Sequence, residues 1–319
     1  MRSIFISLSF FLSSISLALP NLQNGSECSS NLSGSIVVDE RLEGPQLEMV
    51  LGTLEELKSW LGDLHFLTGT HLSIEDSDLT EEGGHLKSSE VALNSSLFGH
   101  WEQGKALFVH EIGHSYFRKL TLTESEDFEE MVLEYDRYIL ASERTKKLLK
   151  EFGSNINASP EKLKEMSNQI LLASEEEKKY AANGFMKMRA YDELFADLFV
   201  CLFMNDPNAI SKQLSAPKEV KGRSFVSEIV AAEWSPMALI NFEPAPIPHL
   251  HLSPSRNLIW EEAQSLLAQG HSPKDLLKKV FRAMVADFKK NGFAKPSMDF
   301  ARANKSFSDE VRAVMGGPH

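Results

Sequence analysis

Residues 106–117 read "ALFVHEIGHSYF" and contain two histidines, His110 and His114, with Glu111 between them. On an α-helix, residues four positions apart lie on one face, so both imidazoles can approach one metal ion at the ~2.0–2.1 Å of zinc–nitrogen bonds. Glu111 lies about 100° further around the helix, where it can act on a water beside the ion. The stretch therefore predicts a buried helix that carries a zinc site, with Glu111 as general base for a zinc-activated water.

A second stretch offers the third protein ligand that a catalytic zinc site needs. Residues 188–204, "MRAYDELFADLFVCLFM", place Glu193 and Asp197 one helical turn apart in a strongly apolar helix. Burying two carboxylates there costs several kcal/mol unless a cation or hydrogen bonds compensate. We therefore expect Glu193 to bind zinc, and Asp197 to accept a hydrogen bond from the outer nitrogen of a ligand histidine.

These two motifs carry a resemblance to a known group of enzymes. "HEIGH" at 110–114, followed by "ELFAD" at 193–197, resembles the gluzincin zinc metallopeptidases, which combine HExxH with a later ExxAD-type motif. The resemblance covers two short motifs and their order, and it points to no particular family. It implies a zincin-like fold with the active-site helix over a small sheet. It also implies His110, His114 and Glu193 as zinc ligands, Glu111 as base and Asp197 beside a ligand histidine.

Glu134 is an alternative third ligand. It follows His114 at a spacing similar to that of the shorter-linked gluzincins such as thermolysin. Tyr138, however, stands where that pattern has an aspartate, and "EEMVLEYDRY" is typical of a solvated helix. We favour Glu193.

Residues 246–260, "PIPHLHLSPSRNLIW", could supply a group that stabilises the oxyanion. The segment is loosely similar to the His-Pro and downstream Arg stretch of some relatives, although Leu252 stands where the proline would be. The hypothesis is that His251 or His249 polarises the substrate carbonyl, with Arg256 positioning the substrate or a neighbouring acid. A surface turn followed by a capped helix is the alternative. Tyr191 is a weaker candidate, since such a residue is more often a packed aromatic.

The composition is that of an ordinary globular protein, and the resemblance to metallopeptidases implies a peptide or protein substrate as its partner. The chain has 319 residues, 42% of them hydrophobic, enough for one large domain or two sub-domains around a cleft. A formal net charge of -12 argues against nucleic acid or an anionic membrane as the main partner. The composition does not specify the oligomeric state.

The N-terminus, "MRSIFISLSFFLSSISLALPN", has the pattern of a secretory signal peptide. We predict cleavage after Ala18, a flexible segment over residues 19–45 and a metallopeptidase domain over residues 46–319. The mature protein is then expected to be secreted or periplasmic, with no membrane span. A disulfide between Cys28 and Cys201 is possible, but we favour its absence.

The remaining patterns predict an α+β fold that is mainly helical. Strands are expected at "SIVV", "HLSIEDSDL" and "SEVALNSSLF", with the glycine pair of "EEGGHLK" as a turn. Thr123 and Glu126 form a capping-box pattern before a long charged helix. Ser159-Pro160 opens a further helix, and Ser253-Pro254 and Ser272-Pro273 open two closing ones.

Taken together, the sequence predicts an exported, soluble zinc metallopeptidase. The alternative is a catalytically silent relative that keeps the zinc site and acts as a protein-interaction module. Glu111 favours the enzyme, because a silent form has no need of a base. Zinc-dependent hydrolysis of a non-peptide amide is a third possibility, since the motifs describe only the metal centre.

Overall fold

The protein is described by a computed structural model. It covers residues 4–6, 36–39, 41–67, 70–75, 84–87, 90–181, 185–213, 223–226, 252–291 and 300–316. These residues form a mainly helical fold with one small sheet. The predicted oxyanion candidates His249 and His251 lie outside the described residues, as does Cys28.

Three parallel strands make the centre of the sheet. The strands are β1 (Ile4–Ile6), β2 (Ile36–Val38), β3 (His71–Glu75), β4 (Gly84–Lys87) and β5 (Glu90–Asn94), in the spatial order β1-β2-β3-β5-β4. β2, β3 and β5 run parallel, whereas β1 and β4 are antiparallel edge strands. Leu72, Val91 and Leu93 are fully buried, so these central strands contribute to the main core.

Two helices follow strands of the sheet: α1 (Gly44–Leu61) comes after β2, and α2 (Trp101–Glu124), which carries the histidines, comes after β5. α1 ends at Gly62, whose positive φ of 89° is tolerated because glycine has no Cβ. A 3₁₀ turn (Ser95–His100) then leads from β5 directly into α2, which contacts β4 and β5. The sheet therefore lies immediately before the histidine-bearing helix, as expected from the sequence.

The second motif lies on α5 (Phe185–Met204), a strongly apolar helix. Its residues from Ala190 to Cys201 are all buried, which explains why the sequence is apolar on every side of the helix. α5 packs directly across α2. Trp60 of α1 adds an edge-on aromatic contact to Phe199.

A helical hairpin separates the two motifs along the chain. α3 (Glu126–Ser154) and α4 (Pro160–Ala181) pack mainly on each other and touch α2 and α5. Glu134 lies on α3, but its side chain is outside the described part of the chain. The hairpin thus accounts for most of the chain between α2 and α5, the two helices that form the site.

Three closing helices complete the core, and the second of them packs against α5. They are α6 (Ser253–Ala268), α7 (Pro273–Asn291) and α8 (Phe300–Met315). Tyr191 on α5 is fully buried and donates a hydrogen bond to Asp287 on α7, whose other oxygen accepts from Ser306 on α8 at 2.7 Å. Tyr191 is therefore a packed aromatic that ties α5 to two neighbours.

Several local expectations differ from the structure. Of the glycine pair expected to form a turn, Gly84 begins strand β4, because residues 84–87 pair with β5, and Gly83 lies outside the described residues. Thr123 does not cap α3; it lies within α2 and donates to the carbonyl of Lys119 at 2.8 Å. α8 is a third closing helix that the sequence patterns did not reveal.

The N-terminal segments also take part in the sheet. β1 falls within the predicted signal peptide, and β2 falls within the segment predicted to be flexible. Val38 and Leu42 are buried in the core, so ordered structure begins before residue 46. Signal cleavage after Ala18 stays a prediction. Among the described residues, no helix has the length and apolarity that crossing a bilayer requires.

Candidate metal centre

Two crossing helices bring the predicted ligands together. Gly113 on α2 lies against α5 so closely that an added Cβ would meet Ala196 Cα at 2.9 Å. Real Cβ atoms essentially never come that close, so a side chain at this position would push the helices apart. The glycine between the two histidines therefore allows α5 to approach the imidazoles.

The three predicted ligand atoms form a triangle that fits a zinc ion. His110 Nε2 and His114 Nε2 lie 3.1 Å apart. Glu193 Oε2 lies 3.5 Å from the first and 3.7 Å from the second. A circle through the three atoms has a radius of about 2.0 Å, which matches the ~2.0–2.1 Å of zinc–nitrogen and zinc–oxygen bonds. The three atoms could therefore hold one ion between them.

Glu111 lies beside this triangle. One of its carboxylate oxygens and one nitrogen of each histidine all lie within 4.8 Å of one another. The residue is buried, with 7% of its surface exposed. Its position one residue after His110 thus puts a carboxylate next to the ion position without making it one of the three atoms of the triangle.

Each imidazole is oriented by a carboxylate on its outer side. His114 Nδ1 donates to Asp192 Oδ1 at 2.7 Å, and His110 Nδ1 faces Asp197 Oδ1 at 3.1 Å. The hydrogen bond to Asp192 fixes the tautomer of His114 in which Nε2 can bind a metal, and Asp197 faces the corresponding outer nitrogen of His110. The sequence pattern indicated Asp197 but missed Asp192, although Asp192 directly precedes the ligand glutamate.

Two buried arginines surround Asp197. Arg256 Nη2 donates to Asp197 Oδ2 at 2.7 Å, and Arg223 Nε donates to the same oxygen at 3.1 Å. Arg223 Nη2 also donates to the other oxygen, Oδ1. Burial opposes ionisation of Asp197, but the two guanidinium groups outweigh this effect and lower its pKa below the usual range. Arg256, proposed from sequence to position substrate or an acid, is therefore in contact with an acid and is 1% exposed.

Arg223 was not anticipated from the sequence. It stands in a segment without helical or strand periodicity, so no spacing argument connected it to the two motifs. Its Nη2 lies 3.4 Å from His110 Nε2 and 4.0 Å from Glu193 Oε2. The arginine therefore borders the ion position itself.

The charges around the triangle suit a divalent cation. Among the described residues, the buried carboxylates here are those of Glu111, Asp192, Glu193 and Asp197, and the buried guanidiniums are those of Arg223 and Arg256. With neutral imidazoles, this set retains two negative charges.

The raised pKa values of the two histidines also indicate that the site favours added positive charge. Burial disfavours the charged form of His114, but Asp192, Glu193 and Glu111 outweigh it and raise its pKa to about 10. Burial likewise opposes protonation of His110, yet Asp197 and Glu193 raise its pKa as well. Positive charge is thus favoured at both imidazoles, and a bound divalent ion would supply it in place of protons.

Comparison with known proteins adds no family to these findings. No family model matches the chain, and no curated protein or solved structure matches it either. What the chain holds is thus a buried His110-Glu111-His114 cluster, able to bind a metal ion, in a mainly helical fold.

Proposed function

We propose that this protein is an exported zinc-dependent metallopeptidase of the gluzincin type. The observation that carries the proposal is the triangle of His110 Nε2, His114 Nε2 and Glu193 Oε2, whose size fits a zinc ion, with Glu111 beside it. Nitrogen and carboxylate ligands with an open position are the set that catalytic zinc uses. Export is part of the proposal because the N-terminus has the pattern of a signal peptide.

A zinc ion held by His110, His114 and Glu193 would act as a Lewis acid, polarising the substrate carbonyl and lowering the pKa of a bound water to about 7. Glu111 takes a proton from the attacking water as the water oxygen bonds to the carbonyl carbon. The π electron pair of the carbonyl moves onto its oxygen. When the carbon–nitrogen bond breaks, Glu111 returns the proton to the leaving nitrogen, which gives a carboxylic acid and an amine. The acid then loses its proton to the amine, so that the products are a carboxylate and an ammonium ion.

The surrounding residues hold this arrangement in place. Asp192 and Asp197 keep the two imidazoles oriented, and Arg223 and Arg256 keep Asp197 ionised. Burial of the whole cluster strengthens each of these interactions, because little water screens them.

The test is metal analysis combined with a peptide library derived from a proteome. Wild-type protein should contain one zinc per chain and cleave peptides from the library. Glu111→Gln should retain the zinc and lose cleavage by at least ~100-fold, the range in which general bases contribute. Cleavage that survives the substitution would refute the mechanism. A silent zinc-binding protein would instead bind the metal in both forms and cleave nothing.

A further inference from the structure

The segment that carries Arg223 is held against the core by the two residues that follow the arginine. Phe225 N donates to the carbonyl of Pro207 at 3.0 Å, and Ser224 Oγ donates to Asn208 Oδ1 at 2.6 Å. The Phe225 ring is fully buried and lies 4.9 Å below the Arg256 guanidinium. Arg223 is itself only 4% exposed, so its guanidinium is placed by the fold rather than by its own flexible side chain.

Two hydrogen bonds that Arg223 donates to Asp197 fix the direction in which the Nη2 atom of Arg223 points. Because Nε and Nη2 both donate to the Asp197 carboxylate, the guanidinium plane is fixed. Nη2 then also faces His110 Nε2 at 3.4 Å. A donor is thus aimed at an atom of the ligand triangle.

Asp197 needs only part of the positive charge around it. The carboxylate carries one negative charge, while two guanidinium groups and the His110 ring contact it. Arg256 is 1% exposed and approaches Oδ2, whereas Arg223 borders the triangle. The Arg223 guanidinium therefore lies next to the ligand atoms, where its N–H groups could donate to an oxygen that approaches them.

We propose, building on the metallopeptidase assignment above, that Arg223 is a catalytic residue that stabilises the oxygen of the scissile carbonyl. When the His110 Nε2 lone pair is used by the ion, the Arg223 donor that faces it loses that acceptor. The carbonyl oxygen, which becomes negative as water adds to the carbon, replaces it. A donor of this kind, preorganised by Asp197, is worth most where the charge develops.

The test uses cobalt(II) in place of zinc, so that the metal site has a visible spectrum, and inorganic phosphate as a tetrahedral oxyanion. The variants are Arg223→Gln and Arg223→Lys; the lysine keeps a charge near Asp197 but lacks the planar fork. The matched control is Arg41→Lys, because Arg41 forms the same kind of fork with Asp39 away from the site. The spectrum gives cobalt stoichiometry and, by titration, the Kd of phosphate.

We expect each protein to bind one cobalt ion and both Arg223 variants to raise the Kd of phosphate at least ~10-fold, while the control leaves it unchanged. With a peptide substrate, both variants should lower kcat by about 10²- to 10³-fold at a KM within a few-fold, and added guanidinium ion should restore part of kcat. A full cobalt load with unchanged phosphate Kd and kcat would overturn the role of Arg223. Wild-type protein that binds no cobalt would overturn the metal site first, which separates the two failures.

Discussion

At the scale of single residues, the candidate site is organised around two aspartates that do not bind the ion. Asp192 and Asp197 lie on α5 on either side of Glu193, and each contacts the outer nitrogen of a different histidine. One helix therefore supplies both the third ligand and the groups that orient the other two. We therefore expect metal affinity to be coupled to these two carboxylate contacts.

Asp192 permits a direct test of that coupling. Asp192→Ala should weaken zinc binding by about 10- to 100-fold, because the His114 ring loses the acceptor that fixes its orientation. Competition with a chromophoric chelator measures the affinity. Asp206→Ala is the control, since Asp206 follows the same helix but pairs with Lys212. Equal zinc affinity for the Asp192 variant and wild type would contradict the positioning role.

Asp39, which is not part of the candidate site, allows a test of pH dependence. Arg41 donates to Asp39 and to the carbonyl of Ile74 on β3, and it lowers the pKa of Asp39. The folded pKa lies below the ordinary value of about 3.9, so the stabilisation is complete above that value and is lost as the pH falls through the folded pKa. Arg41 is half-exposed, so we discount the gain to about 0.5–1 kcal/mol.

Asp39→Asn should therefore lower the free energy of unfolding at pH 7 by about that amount and leave it nearly unchanged at pH 3. Urea unfolding at both pH values measures the difference. A deficit that is as large at pH 3 as at pH 7 would mean that the ionised pair is not its source.

At the scale of secondary-structure elements, the crossing of α2 and α5 determines the geometry of the site. Spacing and the apolar setting predicted both helices and the residues that they bring together, because His110 and His114 share one helical face and Glu193 and Asp197 share another. Their role as metal ligands stays a prediction. The contact of the two helices across Gly113 could not be read from either helix. Strand β4 could not be predicted from local sequence either. Residues 84–87 form a strand because they pair with β5, and local turn propensity gives no information about such pairing.

Gly113→Ala tests the helix crossing. The new Cβ would meet the backbone of Ala196, which cannot move without shifting α5, so we expect a loss of about 1–3 kcal/mol in unfolding free energy. Zinc affinity should fall with it, because Glu193 moves away from the imidazoles. Gly52→Ala on α1, where an added Cβ meets nothing within 4 Å, should instead stabilise the protein by about 0.5–1 kcal/mol. Chemical unfolding and chelator competition measure both effects.

At the scale of the whole molecule, residues distant in sequence converge on one buried cluster. Arg223 and Arg256 reach Asp197 from segments well beyond α5, and neither contact follows from a sequence period. The ligands could be predicted because metal coordination restricts residue type and spacing. The guanidinium partners could not, because any arginine elsewhere in the chain would satisfy the same charge. Metal binding should therefore stabilise the entire core, and not only the two ligand helices.

Cys201 can report that stabilisation. Its thiol is fully buried on α5 two turns after Glu193, and burial and the nearby Asp197 raise its pKa to about 12, so the native thiol should not react with alkylating reagents. In a Cys28→Ser background, labelling then requires the core to open. Zinc at about 100 times its Kd should slow labelling by about 100-fold, because the ion binds the folded state. In a His110→Ala, His114→Ala variant the labelling rate should be independent of zinc. If zinc leaves the rate unchanged in the single-thiol protein as well, metal binding is not coupled to the stability of the core.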